Sequence, residues 1–271
     1  MQAWLVDTFT DGEFLGNPAA VVLGDDLPDE NVMQAVAHRL AQPTTAFLAP
    51  VGPGEYRIRW FTPHKEINLC GHATIASAGF LYETFGGGPA AVLRFVTRNG
   101  TLYTERAGGR IAIDMPRADV TECAAPARLR EAIGTDFVRC ASSSDDLLIE
   151  VASETAVAAA APMFTELGAL PYRGHIVTAS ADRPEVDFVS RTFFPSLGVD
   201  EDQVCVSAHC KLGPYWGTRF GRTRLSGVQL SERGGRLDVE VGLDRVKIFG
   251  TARLRPSPVV VPETGEIAAL G

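Results

Sequence analysis

The stretch Cys70-Gly71-His72-Ala73-Thr74 opens a run of small and apolar residues that continues to position 85. The run predicts a helix over 71–85 with apolar residues on both of its sides. A helix that is apolar all round must be enclosed by other elements. Strand-like runs precede and follow it, so the stretch predicts a helix inside a curled sheet.

The chain repeats this pattern 135 residues later, as Cys205-Val206-Ser207-Ala208-His209, and Phe-Gly follows each cysteine 15 residues on. We therefore predict a second helix over 207–220 and two similar halves, with the chemistry between them. A helix N-terminus has unpaired N–H groups and a partial positive charge, which can hold an anion and lower a thiol pKa. We expect the pKa of Cys205 to fall into the roughly 3.5 to 7.5 range of helix-terminal cysteines.

The composition is that of an ordinary soluble globular protein. Of 271 residues, 45% are hydrophobic and 21% charged, and the formal net charge is −8. That charge argues against nucleic acid or an anionic membrane as the main partner. The sequence shows neither a membrane-length apolar run nor a signal pattern, so we expect a cytoplasmic protein. Five cysteines without metal-type spacing favour free thiols and no metal site.

The order of predicted elements indicates an α+β protein with two halves. We expect residues 1–114 to form the first half and 115–256 the second, with 257–271 returning to the first half. The pair Asp145-Asp146 is typical of a solvated turn.

Several motifs together resemble the PhzF-like family, named for the phenazine-biosynthesis isomerase. The resemblance implies a diaminopimelate-epimerase-like fold, in which two pseudo-symmetric halves each wrap a barrel-like sheet around a central helix. It also implies an active site between the halves, no cofactor, and a homodimer. The segments that carry it are Phe14-Leu15-Gly16-Asn17-Pro18-Ala19-Ala20-Val21, Arg59-Trp60-Phe61-Thr62-Pro63, Leu69-Cys70-Gly71-His72-Ala73-Thr74, Asp187-Phe188-Val189-Ser190-Arg191, Ser207-Ala208-His209 and Ser231-Glu232-Arg233-Gly234-Gly235.

Two motifs depart from the family pattern. The family's usual acid–base residue is a Glu in a Ser-Glu-Thr-Ala-Phe segment, and Thr44 occupies its place here. Threonine does not exchange protons near neutral pH as a carboxylate does. In the second motif Asp202 and Ser207 are kept, while Cys205 replaces the family's Thr and Val206 its Gly.

The resemblance and the repeat together give a set of candidate site residues. Four are predicted to be catalytic and four to contact the substrate. Six of the eight, all but Thr44 and Gly71, have a plainer alternative: a satisfied buried histidine, a loop carboxylate, a helix cap, a turn residue or a core thiol. The catalytic candidates are Cys70, His72, Asp202 and Cys205, and the substrate-binding candidates are Thr44, Gly71, Ser207 and Asn17.

Three functions remain open at this point. The first is a cofactor-independent isomerase that shifts a proton on a small carboxylate-containing intermediate. The second is a racemase or epimerase that uses the thiols of Cys70 and Cys205 on opposite faces of one carbon. The third is a catalytically silent binding protein that kept the fold after losing the family's Glu.

Overall fold

A computed structural model of the protein describes residues 1–86, 92–143 and 145–261. These residues form two compact units. The first contains residues 1–10, 17–114 and those from 249 on, and the second contains residues 11–16 and 115–248. Most of the predicted return of 257–271 falls on 262–271, which lie outside the described residues.

The strands, in chain order, are β1 (Gln2–Thr8), β2 (Asn17–Leu23), β3 (Thr45–Gly52), β4 (Glu55–Phe61), β5 (Glu66–Ile67), β6 (Val92–Thr97), β7 (Gly100–Ala107), β8 (Arg110–Pro116), β9 (Thr121–Cys123), β10 (Arg139–Ser142), β11 (Asp146–Glu150), β12 (Gly174–Ser180), β13 (Phe188–Phe194), β14 (Val199–Asp202), β15 (Arg224–Gln229), β16 (Gly235–Val241), β17 (Arg245–Gly250), β18 (Ala252–Leu254) and β19 (Val259–Val260). The helices are α1 (Glu30–Leu40), α2 (Gly71–Phe85), α3 (Leu129–Ile133), α4 (Glu154–Ala159), α5 (Phe164–Gly168) and α6 (Val206–Phe220), with a short 3-10 turn at Pro195–Leu197.

In the first unit a mixed sheet encloses α2. Strands β18, β1, β2, β3, β4, β6 and β7 pair in that order, with parallel steps between β2 and β3 and between β4 and β6. A Cβ on Gly79 of α2 would lie 2.5 Å from Ala252 and 3.4 Å from Ile111, so the helix meets β18 and β8 closely. Trp4 of β1 packs on Phe80 at 5.9 Å. The sheet therefore surrounds the helix, as its all-round apolar sequence predicts.

The second unit repeats this arrangement around α6. Strands β9 to β13 pair in sequence order, and β13 continues through β15 to β16. A Cβ on Gly213 would lie 2.5 Å from Val239 of β16. Three residues further along the helix, the indole of Trp216 donates to the Thr178 hydroxyl of β12 at 3.0 Å. The predicted α+β class, with one central helix in each half, is confirmed.

The second central helix begins one residue earlier than predicted. It spans Val206–Phe220, so Cys205 is its N-cap, just as Cys70 is the N-cap of α2. Both helices have 15 residues and both N-caps have extended backbone angles. The two cysteines therefore occupy equivalent positions in their units. No helix in the described part of the chain is long and apolar enough to cross a membrane.

Candidate active site

The first group of candidate residues lies at the start of α2. Cys70 is 7% exposed, and its carbonyl accepts hydrogen bonds from the backbone N–H and the hydroxyl of Thr74 at 3.1 and 2.7 Å. These bonds fix the first helical turn. They hold the thiol at the helix end, where the unpaired N–H groups lie.

Two side chains meet the sulfur of Cys70. The thiol donates to the hydroxyl oxygen of Thr44 at 3.5 Å, and Nδ1 of His72 lies 3.4 Å from Sγ. Thr44 directly precedes β3, whereas Cys70 and His72 flank the first residue of α2. The structure thus brings together three of the predicted residues, and it places a hydroxyl beside the thiol where the family's carboxylate is expected.

Burial keeps the imidazole of His72 neutral. The ring is 6% exposed, and burial lowers its pKa to about 4, although a hydrogen bond to the Pro18 backbone opposes this. A proline has only its carbonyl to offer, so the ring donates one N–H there and its other nitrogen remains an acceptor. The ring is therefore neutral at pH 7 and has an acceptor nitrogen, but its lowered pKa makes it a weak base that suits only an acidic substrate proton.

Asn17 and Gly71 complete the first group. Asn17 is fully buried as the first residue of β2, next to Pro18, and its carbonyl accepts from the Thr8 hydroxyl at 2.9 Å. Gly71 is the buried first residue of α2. Asn17 thus adjoins the proline whose backbone meets the His72 ring, and Gly71 lies between Cys70 and His72.

The second group of candidates lies at the start of α6. The backbone N–H of Cys205 donates to Oε1 of Gln229 at 2.9 Å, and its carbonyl accepts from Nδ1 of His209 at 2.7 Å. Gln229 also donates through Nε2 to the hydroxyl of Thr192 at 2.8 Å and to the Asp202 carbonyl. Buried side chains therefore hold both backbone groups of Cys205 in place.

Gln229 was not among the predicted site residues. It ends β15, far along the chain from Cys205. A single glutamine in a strand gives no local signal of a role, so sequence patterns do not reveal it.

Ser207 joins the second thiol to a guanidinium group. Its Oγ lies 3.4 Å from Sγ of Cys205, and Nη2 of Arg173 donates to the same Oγ at 3.4 Å. Arg173 precedes β12 and was likewise not predicted to belong to the site. A hydroxyl and a cation thus converge beside the thiol.

The prediction of a solvated turn at Asp145-Asp146 is wrong for its second residue. Asp146 is fully buried and forms a two-pronged pair with Arg173, at 2.9 Å from Nε and 2.6 Å from Nη2. Nζ of Lys211, itself 5% exposed, lies 2.7 Å from the same carboxylate. Two cations that are distant in sequence supply the charge that lets the carboxylate be buried.

The expected low pKa of Cys205 is also wrong. The side chain is only 5% exposed, and this burial raises the thiol pKa far above its ordinary value. The charge of Asp202 raises it further, while the hydrogen bond with Ser207 lowers it. Burial raises the thiol pKa by more than the helix N-terminus lowers it, because desolvation penalises the charged thiolate directly. In this state Cys205 is a protonated thiol at neutral pH.

Asp202 lies near the second thiol. It is partly buried as the last residue of β14, and its carbonyl accepts from the Thr192 hydroxyl at 3.4 Å. Its carboxylate is close enough to act on the pKa of Cys205. The second group therefore combines a carboxylate, a thiol, a hydroxyl and a guanidinium group. Among the described residues, no three His, Cys, Asp or Glu side chains are arranged to hold a metal ion.

Comparisons of the sequence and of the structure with known proteins agree with one another. The family model described as phenazine biosynthesis-like protein matches residues 6–255. An uncharacterized isomerase of Pseudomonas aeruginosa is 46% identical over 250 residues, which cover 92% of this chain and 94% of that protein. A crystal structure of a PhzF-family protein from Enterococcus faecalis matches with a TM-score of 0.88 and 39% identity, over 96% of this chain and 100% of that one.

A more distant solved structure shares the fold alone. It is that of a probable proline racemase from Agrobacterium radiobacter, with a TM-score of 0.64 at 11% identity, over 98% of this chain and 94% of that chain. These comparisons confirm three predictions: the family, the fold class and an isomerase type of enzyme.

Proposed function

The chain belongs to the phenazine biosynthesis-like family, and on that premise we propose that it is an isomerase that shifts a proton on a small carboxylate-bearing molecule without a cofactor. The observation that carries the proposal is the neutral imidazole of His72 at 3.4 Å from the thiol of Cys70. One group accepts a proton and the other supplies one.

The proposed step balances within this pair. His72 takes a proton from one substrate carbon, and the electron pair of that C–H bond becomes a new double bond. The electrons of the old double bond take the proton of the Cys70 thiol at a second carbon. The imidazolium then returns its proton to the thiolate across the 3.4 Å contact, which restores both groups.

Thr44 limits the substrates of this reaction. Its hydroxyl contacts the thiol but cannot serve as the family's carboxylate does. We therefore expect no isomerisation of the phenazine precursor. A substrate whose proton is acidic enough for a buried imidazole suits this site better.

The test is a deuterium-incorporation screen. Small amino, hydroxy and unsaturated acids are incubated with the protein in heavy water and analysed by mass and by chiral separation. We expect one deuterium in a double-bond isomer, lost in His72→Asn and in Cys70→Ser and kept in the surface control His38→Asn, whose side chain is exposed. Equal exchange in all four proteins contradicts the proposal.

A second candidate function is two-thiol stereoinversion. It is favoured by one observation, that Cys70 and Cys205 cap helices of equal length in the two units. The raised pKa of Cys205 weighs against it, because a thiol must lose its proton to act as a base. In the same screen this function gives deuterium with inverted configuration, and Cys205→Ser abolishes it.

A homodimer and a cytoplasmic location remain predictions.

A further inference from the structure

Two cysteines of the second unit lie directly opposite each other on neighbouring strands. Cys123 ends β9, Cys140 is the second residue of β10, and the antiparallel register pairs these two positions. Both are free thiols. Opposite residues of an antiparallel pair point to the same face, with Cα atoms about 4.5–5.5 Å apart. A disulfide spans Cα atoms about 4.4–6.8 Å apart, so the backbone already meets its main geometric requirement.

A tyrosine shows that the two thiols share one side of the sheet. Tyr172 and Cys123 both pack against the apolar core cluster that contains Cys140. Burial and the two nearby thiols raise the pKa of the Tyr172 phenol, which also hydrogen-bonds with Cys123. Burial, and after it the neighbouring Cys123, raise the pKa of Cys140 to about 11. The two sulfur atoms therefore lie within interaction range of each other and of the phenol.

The two thiols differ in their access to solvent. Cys140 is 3% exposed, whereas Cys123 is half-buried between the exposed residues Glu122 and Ala124. An oxidant in solution therefore reaches Cys123 first, and Cys140 can react only with what forms beside it. A disulfide needs Cβ atoms about 1 Å closer than an ordinary opposite pair has them. Strand β9 has only three residues, two of them exposed, so it can make this small approach.

From this arrangement we infer that Cys123 and Cys140 form a reversible oxidation site, which hydrogen peroxide converts into a disulfide between β9 and β10. The peroxide O–O bond breaks as the sulfur of Cys123 takes one oxygen to become a sulfenic acid, and the thiol proton leaves with the other oxygen as water. The sulfur of Cys140 then attacks that of Cys123. The S–O bond breaks, the S–S bond forms, and the proton of Cys140 leaves with the hydroxide as a second water.

Two electrons thus pass from the thiols to the peroxide, and an added dithiol returns them. The second step is intramolecular, and the resulting high effective concentration favours it although Cys140 is a weak acid. It also stops the oxidation of Cys123 at a reversible stage, because an unresolved sulfenic acid goes on to sulfinic acid.

The test treats the folded full chain with a small excess of hydrogen peroxide. Remaining thiols are then blocked with N-ethylmaleimide in denaturant, and the protein is digested with trypsin without reduction. Cys123 and Cys140 fall in separate tryptic peptides, 118–128 and 140–173. We expect these two peptides to appear linked, lighter by two hydrogens than their sum, with loss of the maleimide label from both cysteines. Dithiothreitol added before the blocking step should restore both labels.

Three variants test the order of the two steps. In Cys140→Ser the second thiol is missing, so Cys123 should go on to sulfinic acid, whereas in Cys123→Ser the buried Cys140 should stay a thiol. Cys210→Ser is the matched control, because it removes another buried thiol of the same unit, whose Sγ donates to the Val206 carbonyl at 3.4 Å. It should form the link as the wild type does.

The wild-type result decides the inference without any variant. Sulfinic acid at Cys123 with no linked peptide overturns it, as does a yield of other cysteine pairs equal to that of this one. A link that forms only when the chain is oxidised in denaturant also overturns it. These masses do not depend on isomerase activity, so this inference and the proposed function fail separately.

Discussion

Replacing Asp146 by Asn should destabilise the second unit strongly. The substitution keeps the shape of the side chain and removes its charge. It leaves Arg173 and Lys211 2.6 to 2.9 Å from a neutral amide, with the partly exposed Asp145 as their remaining counter-ion. Loss of one partner from a buried pair costs about 3–5 kcal/mol, and Asp146 is fully buried, so the full range applies.

Asp145→Asn is the matched control. Its carboxylate faces the same two cations at 3.2 and 3.6 Å, but its side chain is 44% exposed. Water screens such a pair, so the expected loss is only about 0–1 kcal/mol. Urea unfolding, with hydrogen exchange of the peptide that contains β11 as the local readout, measures both variants. If both variants lose the same free energy of unfolding, or if Asp146→Asn loses less than about 1 kcal/mol, the account of the cluster is wrong.

The pH dependence adds an independent check. Burial raises the pKa of Asp146, but the hydrogen bond from Arg173 and the charges of Lys211 and Arg173 outweigh it and lower the pKa overall. A lowered folded-state pKa gives stability that is present above the unfolded value near 3.9 and is lost as the pH falls through the folded value. The gap between the wild type and Asp146→Asn should therefore narrow below about pH 4. A gap that stays constant down to pH 3 would show that the charge is not responsible.

Three further predictions concern other parts of the molecule. His72→Asn should reduce solvent-deuterium exchange by about 100-fold or more in the heavy-water assay, because it removes a positioned base, and an equal rate would refute that role. Gly79→Ala should cost about 1–3 kcal/mol in thermal unfolding, because its Cβ would lie 2.5 Å from a side chain on a neighbouring strand, while Gly52→Ala, with nothing within 4 Å, should not. The labelling rate of Cys205 by iodoacetamide should still be rising at pH 10, and Asp202→Asn should increase it, since burial and that carboxylate both raise the thiol pKa; a plateau near pH 7 would contradict the structure.

The two central helices show what the sequence determines well. The run of α2 is apolar on every side, and such a helix must be enclosed by other elements of the protein. The boundary of α2 agrees with the prediction, and α6 begins one residue early because Val206 already has helical geometry. Thr44, Cys70 and His72 also come together as their motifs suggest.

The second group of site residues was harder to predict. Asp146, Arg173 and Lys211 come from the start of β11, the residue before β12 and the middle of α6. Each is an ordinary charged residue in its own segment, and only tertiary packing turns them into one cluster. The prediction of a low pKa for the Cys205 thiol was wrong for a related reason. The sequence shows where a helix begins but not how deeply that end is buried. The burial of Cys205 is what raises its thiol pKa.

The path of the chain through the first unit bears on how the protein is made. Strand β1 takes β18 as its neighbour on one edge, with Thr8 opposite Ala252 and Val6 opposite Leu254. Those partners are almost the whole chain apart in sequence. At a synthesis rate of about 5–20 residues per second, the edge of β1 therefore stays unpaired for roughly 10 to 50 s before β18 is made. An open strand edge is a template for pairing with other chains. During synthesis the chain therefore has an exposed strand edge that is paired in the folded protein. A chaperone that shields strand edges would act on it during synthesis rather than afterwards.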